Sequence, residues 1–281
     1  MVDTLVSVRE LAANQDNPGW LVVDCRFSLA DSEAGQRAYS EAHIPGAIYI
    51  HLENQMSSPQ ITGKTGRHPL PEKAQWIETI QALGITPATQ VVMYDDAGGA
   101  TAARMWWMLR WIGHEQAAVL DGGLQAWQSK GHSVNNEVPS ARPPGDSAYS
   151  DLTSLTEIID ADEIDTSQQL ILDARELPRY RGEAEPIDPV AGHIPGALCS
   201  PFSGNLDDYG HFHTIENLRK KFSLAAKSNL PIVCYCGSGV TAAHNILAMT
   251  IAGIDNSILY TGSWSDWITD PSRLIATGDG N

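Results

Sequence analysis

Cationic side chains are scarce in this sequence: 18 Lys and Arg stand against 34 Asp and Glu, a formal net charge of −16. A nucleic-acid or anionic-membrane partner calls for a basic surface that releases counterions, so the charge balance argues against both. Cysteine is also rare, with four residues, at positions 25, 199, 234 and 236. That number lacks the density and rhythm of a disulfide scaffold, and a lone Cys234-x-Cys236 pair supplies half the ligands of a closed zinc site. Reduced thiols, no metal and no organic cofactor are the expectation. No stretch approaches the roughly 18 consecutive apolar residues of a membrane span. The opening Met1-Val2-Asp3-Thr4-Leu5 lacks a basic segment followed by an apolar one, so the expected setting is the cytoplasm.

What the sequence does contain is a repeat. Leu21-Val22-Val23-Asp24-Cys25-Arg26 recurs as Leu170-Ile171-Leu172-Asp173-Ala174-Arg175, and Ala42-His43-Ile44-Pro45-Gly46-Ala47 as Gly192-His193-Ile194-Pro195-Gly196-Ala197. Val91-Val92-Met93-Tyr94 followed by Thr101-Ala102-Ala103 matches Ile232-Val233-Cys234-Tyr235 followed by Thr241-Ala242-Ala243, and Gly122 through Trp127 matches Gly262 through Trp267. Four blocks in the same order, each displaced by 140 to 150 residues, indicate two copies of one domain. The Pro-bearing stretch 135–151 has little hydrophobic periodicity and reads as a linker, giving domains at 1–134 and 152–281.

Within the first copy, Trp20–Cys25, Val91–Tyr94 and Ala117–Leu120 read as strands, and Glu72–Leu83 and Thr101–Ile112 as helices. Apolar strands alternating with helices imply an α/β fold, an open parallel sheet flanked by helices in each copy. Ligands of such sheets bind at the carboxyl ends of the strands.

One strand end carries the chemistry. A β-branched strand stops at Cys236, the small-residue turn Gly237-Ser238-Gly239-Val240 follows, and a helical pattern opens at Thr241 and runs to a stop at Gly253. Backbone N–H groups and the positive end of the helix dipole favour an anion there, which suits a thiolate nucleophile. The aligned residue of the first copy is Asp95, which cannot do thiolate chemistry. The second copy is therefore the catalytic domain and the first a non-catalytic one. A cysteine phosphatase would need an arginine after five intervening residues, and position 242 is Ala. Asp24 and Asp173, each two residues before an arginine at a strand end, read as loop anchors together with Arg26 and Arg175. Cys25, Cys199 and Cys234 read as small core hydrophobes.

The paired domains, the two His-Ile-Pro-Gly-Ala segments, the Asp-Cys-Arg and Asp-Ala-Arg strand ends and the Cys236-Gly237-Ser238-Gly239-Val240-Thr241 loop together resemble the tandem rhodanese-type sulfurtransferases. The loop is similar to that of the 3-mercaptopyruvate branch, whereas thiosulfate sulfurtransferases tend to carry Arg-Lys after the cysteine. The resemblance implies that Cys236 carries a persulfide while sulfur passes from a small-molecule donor, 3-mercaptopyruvate, to a thiol, a thioredoxin-like protein or cyanide, with release of pyruvate. Thiosulfate as donor and a non-enzymatic persulfide relay are the alternatives. It also implies a substrate-binding arginine at Arg179 and a serine-centred proton relay in which His43 and an acidic residue such as Asp31 join Ser238. His193 occupies the same segment of the other copy, which points to a loop-bonding role for this histidine as well. Gly237, Gly239, Val240 and Thr241 would cradle the sulfur and the donor through their backbone N–H groups. Two features bear on the choice of donor. Residues 237 to 239 carry no cationic side chain for a compact dianion such as thiosulfate, and Ile187 stands where the 3-mercaptopyruvate branch usually has a second arginine.

Overall fold

The computed structural model describes residues 2–144, 149 and 152–279. The chain divides into two compact units, the first comprising residues 1–58, 70–155 and 208–211 and the second residues 59–69, 156–207 and 212–281. Segment 59–69 precedes the linker expected at 135–151, yet it packs with the second unit. Positions 145–148, 150 and 151 of that linker lie outside the described residues.

In the first unit, strands β1 (Leu5–Val6), β2 (Trp20–Asp24), β3 (Ile48–Tyr49), β4 (Gln90–Tyr94) and β5 (Ala117–Leu120) form one sheet in the order β1-β5-β4-β2-β3. All its pairs are parallel, with Val22 facing Val92 at the centre. Helices α1 (Val8–Ala13), α2 (Ala34–Glu41), α3 (Lys73–Ala82), α4 (Ala102–Trp111) and α5 (Gly123–Ser129) connect the strands. The second unit repeats the plan with β6 (Glu157–Ile159), β7 (Leu170–Asp173), β8 (Leu198–Cys199), β9 (Ile232–Tyr235) and β10 (Ser257–Tyr260), ordered β6-β10-β9-β7-β8 and all parallel. Its helices are α6 (Leu177–Arg181), α7 (Ile215–Lys221), α8 (Ser223–Lys227), α9 (Thr241–Ile251) and α10 (Ser263–Trp267). The central strands β4 and β9 are buried along their whole length, which is why they read as unbroken apolar runs rather than alternating ones.

The repeated motifs prove to be repeated braces. In each unit the strand-end aspartate is fully buried and grips the arginine two residues on, with Arg26 Nη2 2.6 Å from Asp24 and Arg175 Nη2 2.7 Å from Asp173. The same guanidinium then donates to a backbone carbonyl of the next loop, Ala42 O or Gly192 O, at 2.7 Å in both cases. A buried ion pair costs desolvation, and these extra hydrogen bonds are what offset it. The His-Ile-Pro-Gly-Ala segments are tight turns closed by Ala47 N–H to Ile44 O and Ala197 N–H to Ile194 O. Gly46 and Gly196 sit at φ of 79° and 80°, the left-handed region that glycine enters without strain.

Each turn histidine stacks on a tyrosine, His43 on Tyr39 at 4.0 Å and His193 on Tyr180 at 3.8 Å, and each binds that tyrosine's carbonyl through Nδ1. His43 also engages Glu137 O through Nε2 at 3.1 Å. Both of its ring nitrogens are thus committed to backbone carbonyls of the first unit.

Candidate active site

The carboxyl end of β9 leads directly into Cys236, which is 2% exposed. Several bonds fix the loop. The Cys236 N–H donates to Ser263 Oγ at 3.1 Å, and that hydroxyl donates to Tyr260 O at 2.9 Å. Trp264 N–H and Ser265 N–H return to the carbonyls of Cys236 and Gly237, both at 2.9 Å. Gly239 takes a φ of 78° and donates its N–H to Cys236 Sγ at 3.1 Å, so the sulfur faces a donor at the start of α9. Val240 immediately precedes that helix and Thr241 opens it. A backbone N–H aimed at sulfur, together with a helix N-terminus, stabilises negative charge on Sγ.

Burial disfavours the thiolate form of the other three cysteines. Burial pushes the thiols of Cys25 and Cys234 well up, with nearby carboxylates adding to the effect on Cys25. Cys199 is pushed up to about 11 by burial and then by Asp173.

The segment 59–69 supplies what the loop itself lacks. A β-carbon on Gly66 would lie 2.5 Å from Gly262 O, so only glycine permits this close approach, and Arg67 N–H donates to Ser265 Oγ at 3.0 Å. The anchored segment delivers two side chains. His68 Nδ1 lies 2.8 Å from Ser238 Oγ, with both residues buried. Arg67 reaches over Gly237, where an added β-carbon would stand 3.1 Å from Arg67 Nη2 and 3.5 Å from Arg179 Nη1.

The structure thus brings Cys236, Gly237, Ser238, Gly239 and Arg179 into one place, and it adds Arg67 and His68. The absence of cationic residues at 237–239 does not leave the loop without cations, because two guanidinium groups occupy the space above it. Arg181 is engaged elsewhere, with Asp279 and Glu183. The hydrogen bonds of His43 and Asp31 run to groups other than Ser238. His43 is locked between two carbonyls, Asp31 pairs with Arg37 on the surface, and His68 is the histidine beside Ser238.

Acidic residues hold the arginines. Glu185 accepts from Arg179 Nε and Nη2 at 3.1 and 2.8 Å, and Asp188 lies 2.5 Å from Arg67 Nη1 and 3.0 Å from Arg179 Nη2. Burial acts to raise Glu185, but the hydrogen bond and charge of Arg179 and the backbone N–H groups of Ile187 and Asp188 outweigh it and hold the carboxyl below its ordinary value. Burial opposes the charge on Arg175, yet Asp173 more than compensates and raises it. Arg175 also lies 4.7 Å from the Trp264 ring centroid.

Position 95 shows what the first unit does instead. The Asp95 carboxylate accepts the N–H groups of Ala97, Gly99, Thr101 and Ala102 at 2.8–2.9 Å, filling the cradle at the start of α4 with a resident anion. The residue before the stacked tyrosine is Ala38 in the first unit and Arg179 in the second. The first unit therefore has neither the thiol nor the arginine.

The rhodanese-like domain family matches residues 7–130 and 152–270. A Pseudomonas aeruginosa protein named "probable 3-mercaptopyruvate sulfurtransferase" is 47% identical over 98% of both chains. A thiosulfate sulfurtransferase of Gallus gallus is 32% identical over 94% of this chain and 92% of its own. Among solved structures, the 3-mercaptopyruvate sulfurtransferase from Leishmania major superposes with a TM-score of 0.83 at 32% identity, covering 94% of this chain and 73% of that one. With a matched domain in each half and relatives aligned end to end, the chain belongs to the rhodanese-like family as a tandem of two such domains.

Proposed function

We propose that the protein is a cytoplasmic sulfurtransferase that takes sulfur from 3-mercaptopyruvate onto Cys236 and passes it to a thiol, a thioredoxin-like protein or cyanide. The observation that carries this reading is the convergence on one cysteine loop of a sulfur-facing N–H, a serine–histidine pair and two guanidinium groups.

In the first step the Cys236 thiolate attacks the donor sulfur and an S–S bond forms. The donor C–S bond breaks, and its electron pair becomes the enolate of pyruvate. That enolate requires a proton at carbon, and the Ser238–His68 pair is placed to hold one. The guanidinium groups over Gly237 bind the donor carboxylate. The persulfide then divides the transfer into two steps: the acceptor thiolate takes the outer sulfur, and Cys236 returns as a thiolate. All four cysteines are free thiols, in keeping with a reducing compartment.

Thiosulfate is the second reading, favoured by Arg67, which adds a cationic group beside Gly237. Measurement of kcat/KM for both donors with cyanide as common acceptor separates the two. A higher value for 3-mercaptopyruvate and loss of transfer in Cys236→Ser are expected. Retained transfer in Cys236→Ser would overturn the persulfide route, and a higher value for thiosulfate would overturn the donor.

A further inference from the structure

Two guanidinium groups beside a reactive sulfur would by themselves suit a dianion, yet here both are tethered to carboxylates. Asp188 sits between them with its side chain 3% exposed, one oxygen on Arg67 and the other on Arg179. Glu185 takes Nε of Arg179 and shares its Nη2 with Asp188, and it also lies 3.4 Å from Arg175, which is itself paired with Asp173. Arg67, Arg175 and Arg179 are thus balanced by Asp173, Glu185 and Asp188. Arg67 spends Nη1 on Asp188, and Arg179 spends Nη2. That leaves Arg67 Nη2 and Arg179 Nη1 turned toward Gly237, and Arg67 Nε is buried with no hydrogen-bond partner among the described residues.

Resting on the reading that the Cys236 loop takes sulfur from an anionic donor, we infer that Asp188 is the residue that determines donor specificity. It spaces Arg67 and Arg179 into one anion seat and cancels a unit of its charge, so that a monoanionic carboxylate is preferred to a dianion. A carboxylate fits two convergent N–H donors and brings one negative charge beside the Cys236 thiolate. Thiosulfate brings two charges into a seat whose own groups sum to zero. Arg67 supplies in space the second arginine that Ile187 does not supply in sequence. Asp188 touches no donor atom in this scheme and is a positioning residue, whereas Arg67 binds the donor.

The test compares the ratio of kcat/KM for thiosulfate to that for 3-mercaptopyruvate in wild type, Asp188→Asn, Asp188→Glu and Arg67→Met. One unit charge felt across about 6 Å at an effective dielectric near 20 separates a dianion from a monoanion by about a hundredfold, so Asp188→Asn is expected to raise the ratio by about that much at low salt. The rise should shrink as salt increases. Asp188→Glu keeps the charge and is expected to hold the wild-type ratio, and Arg67→Met is expected to lower it. Equal loss with both donors in Asp188→Asn would overturn the assignment, because a purely structural residue would have that effect. Should Asp188→Asn not fold, an unchanged ratio in Arg67→Met overturns it.

A binding measurement separates this inference from the sulfurtransferase reading. Calorimetric titration with pyruvate and with sulfate needs no turnover. Asp188→Asn is expected to tighten sulfate more than pyruvate, and equal changes overturn the charge assignment whether or not the wild type transfers sulfur.

Discussion

His68 Nδ1 meets Ser238 Oγ at 2.8 Å across 170 residues of sequence. The serine stands two positions after the candidate nucleophile, so the pair can serve the proton that a keto-acid leaving group must acquire.

That pairing predicts a donor-dependent defect. Ser238→Ala and His68→Asn are each expected to lower kcat with 3-mercaptopyruvate by about 100-fold, within the range for a positioned proton donor. Turnover of thiosulfate, whose sulfite leaving group needs no proton on carbon, should be largely preserved. The double variant should be little worse than either single one, because the two residues act as a unit. Steady-state kinetics with both donors checks this, and equal losses with both would reduce the pair to a support for the loop.

A second prediction concerns strain. Ser263 is the one described non-glycine residue at positive φ, 55°, where the matching residue of the first unit is Gly123 at 59°. The second unit tolerates a serine there because its hydroxyl receives the Cys236 N–H. Ser263→Gly releases about 1 kcal/mol of left-handed strain and forfeits a hydrogen bond of about the same worth. Melting temperature should therefore hardly move. The sulfur loses its fixed position, so kcat/KM should fall about tenfold. A large drop in melting temperature with normal kinetics would show that Ser263 serves the fold alone.

Asp95 is expected to be structural in the strict sense. Asp95→Ala strands three buried N–H groups, those of Gly99, Thr101 and Ala102, and should cost about 3–5 kcal/mol in urea unfolding, about 1–2 kcal/mol for each orphaned donor. Small monoanions such as formate should recover part of that loss for the variant and do little for the wild type. No recovery would mean that the cradle collapses rather than standing open.

The repeat made the fold legible, because each block is a local device whose residues are neighbours in sequence. The Asp24–Arg26 and Asp173–Arg175 braces close over two residues, and each Ile-Pro-Gly-Ala turn closes over four. The strand, turn and helix around Cys236 were legible for the same reason, since they follow one another directly. His68 and Arg67 were not, because their partners lie 121 to 198 residues away and segment 59–69, which packs with the second unit, has no motif of its own. The only trace is a small basic group, Lys64, Arg67 and His68, in a chain poor in cations. His43 is ambiguous in sequence for a physical reason. A histidine held by a tyrosine stack and two carbonyls leaves the same mark in sequence as a catalytic one.

Glu185 gives the arginine cluster a pH dependence of known sign. Its carboxyl is held below the ordinary 4.5, because the hydrogen bonds from Arg179 and the backbone, together with the Arg179 charge, outweigh the burial that would raise it. Between 4.5 and the lower folded value, the unfolded chain binds a proton that the folded chain does not, so stability rises with pH across that window. The stabilisation is complete above the ordinary value and is lost as pH falls through the folded one. Glu185→Gln removes the titrating group, so the stability difference between wild type and variant should be largest above the ordinary carboxyl value and shrink as pH falls through the lower folded one. Urea unfolding at a series of pH values measures it. A difference that stays constant as the pH is lowered to the acid limit of the folded state would mean that Glu185→Gln loses packing or hydrogen bonds rather than an ionised partner for Arg179.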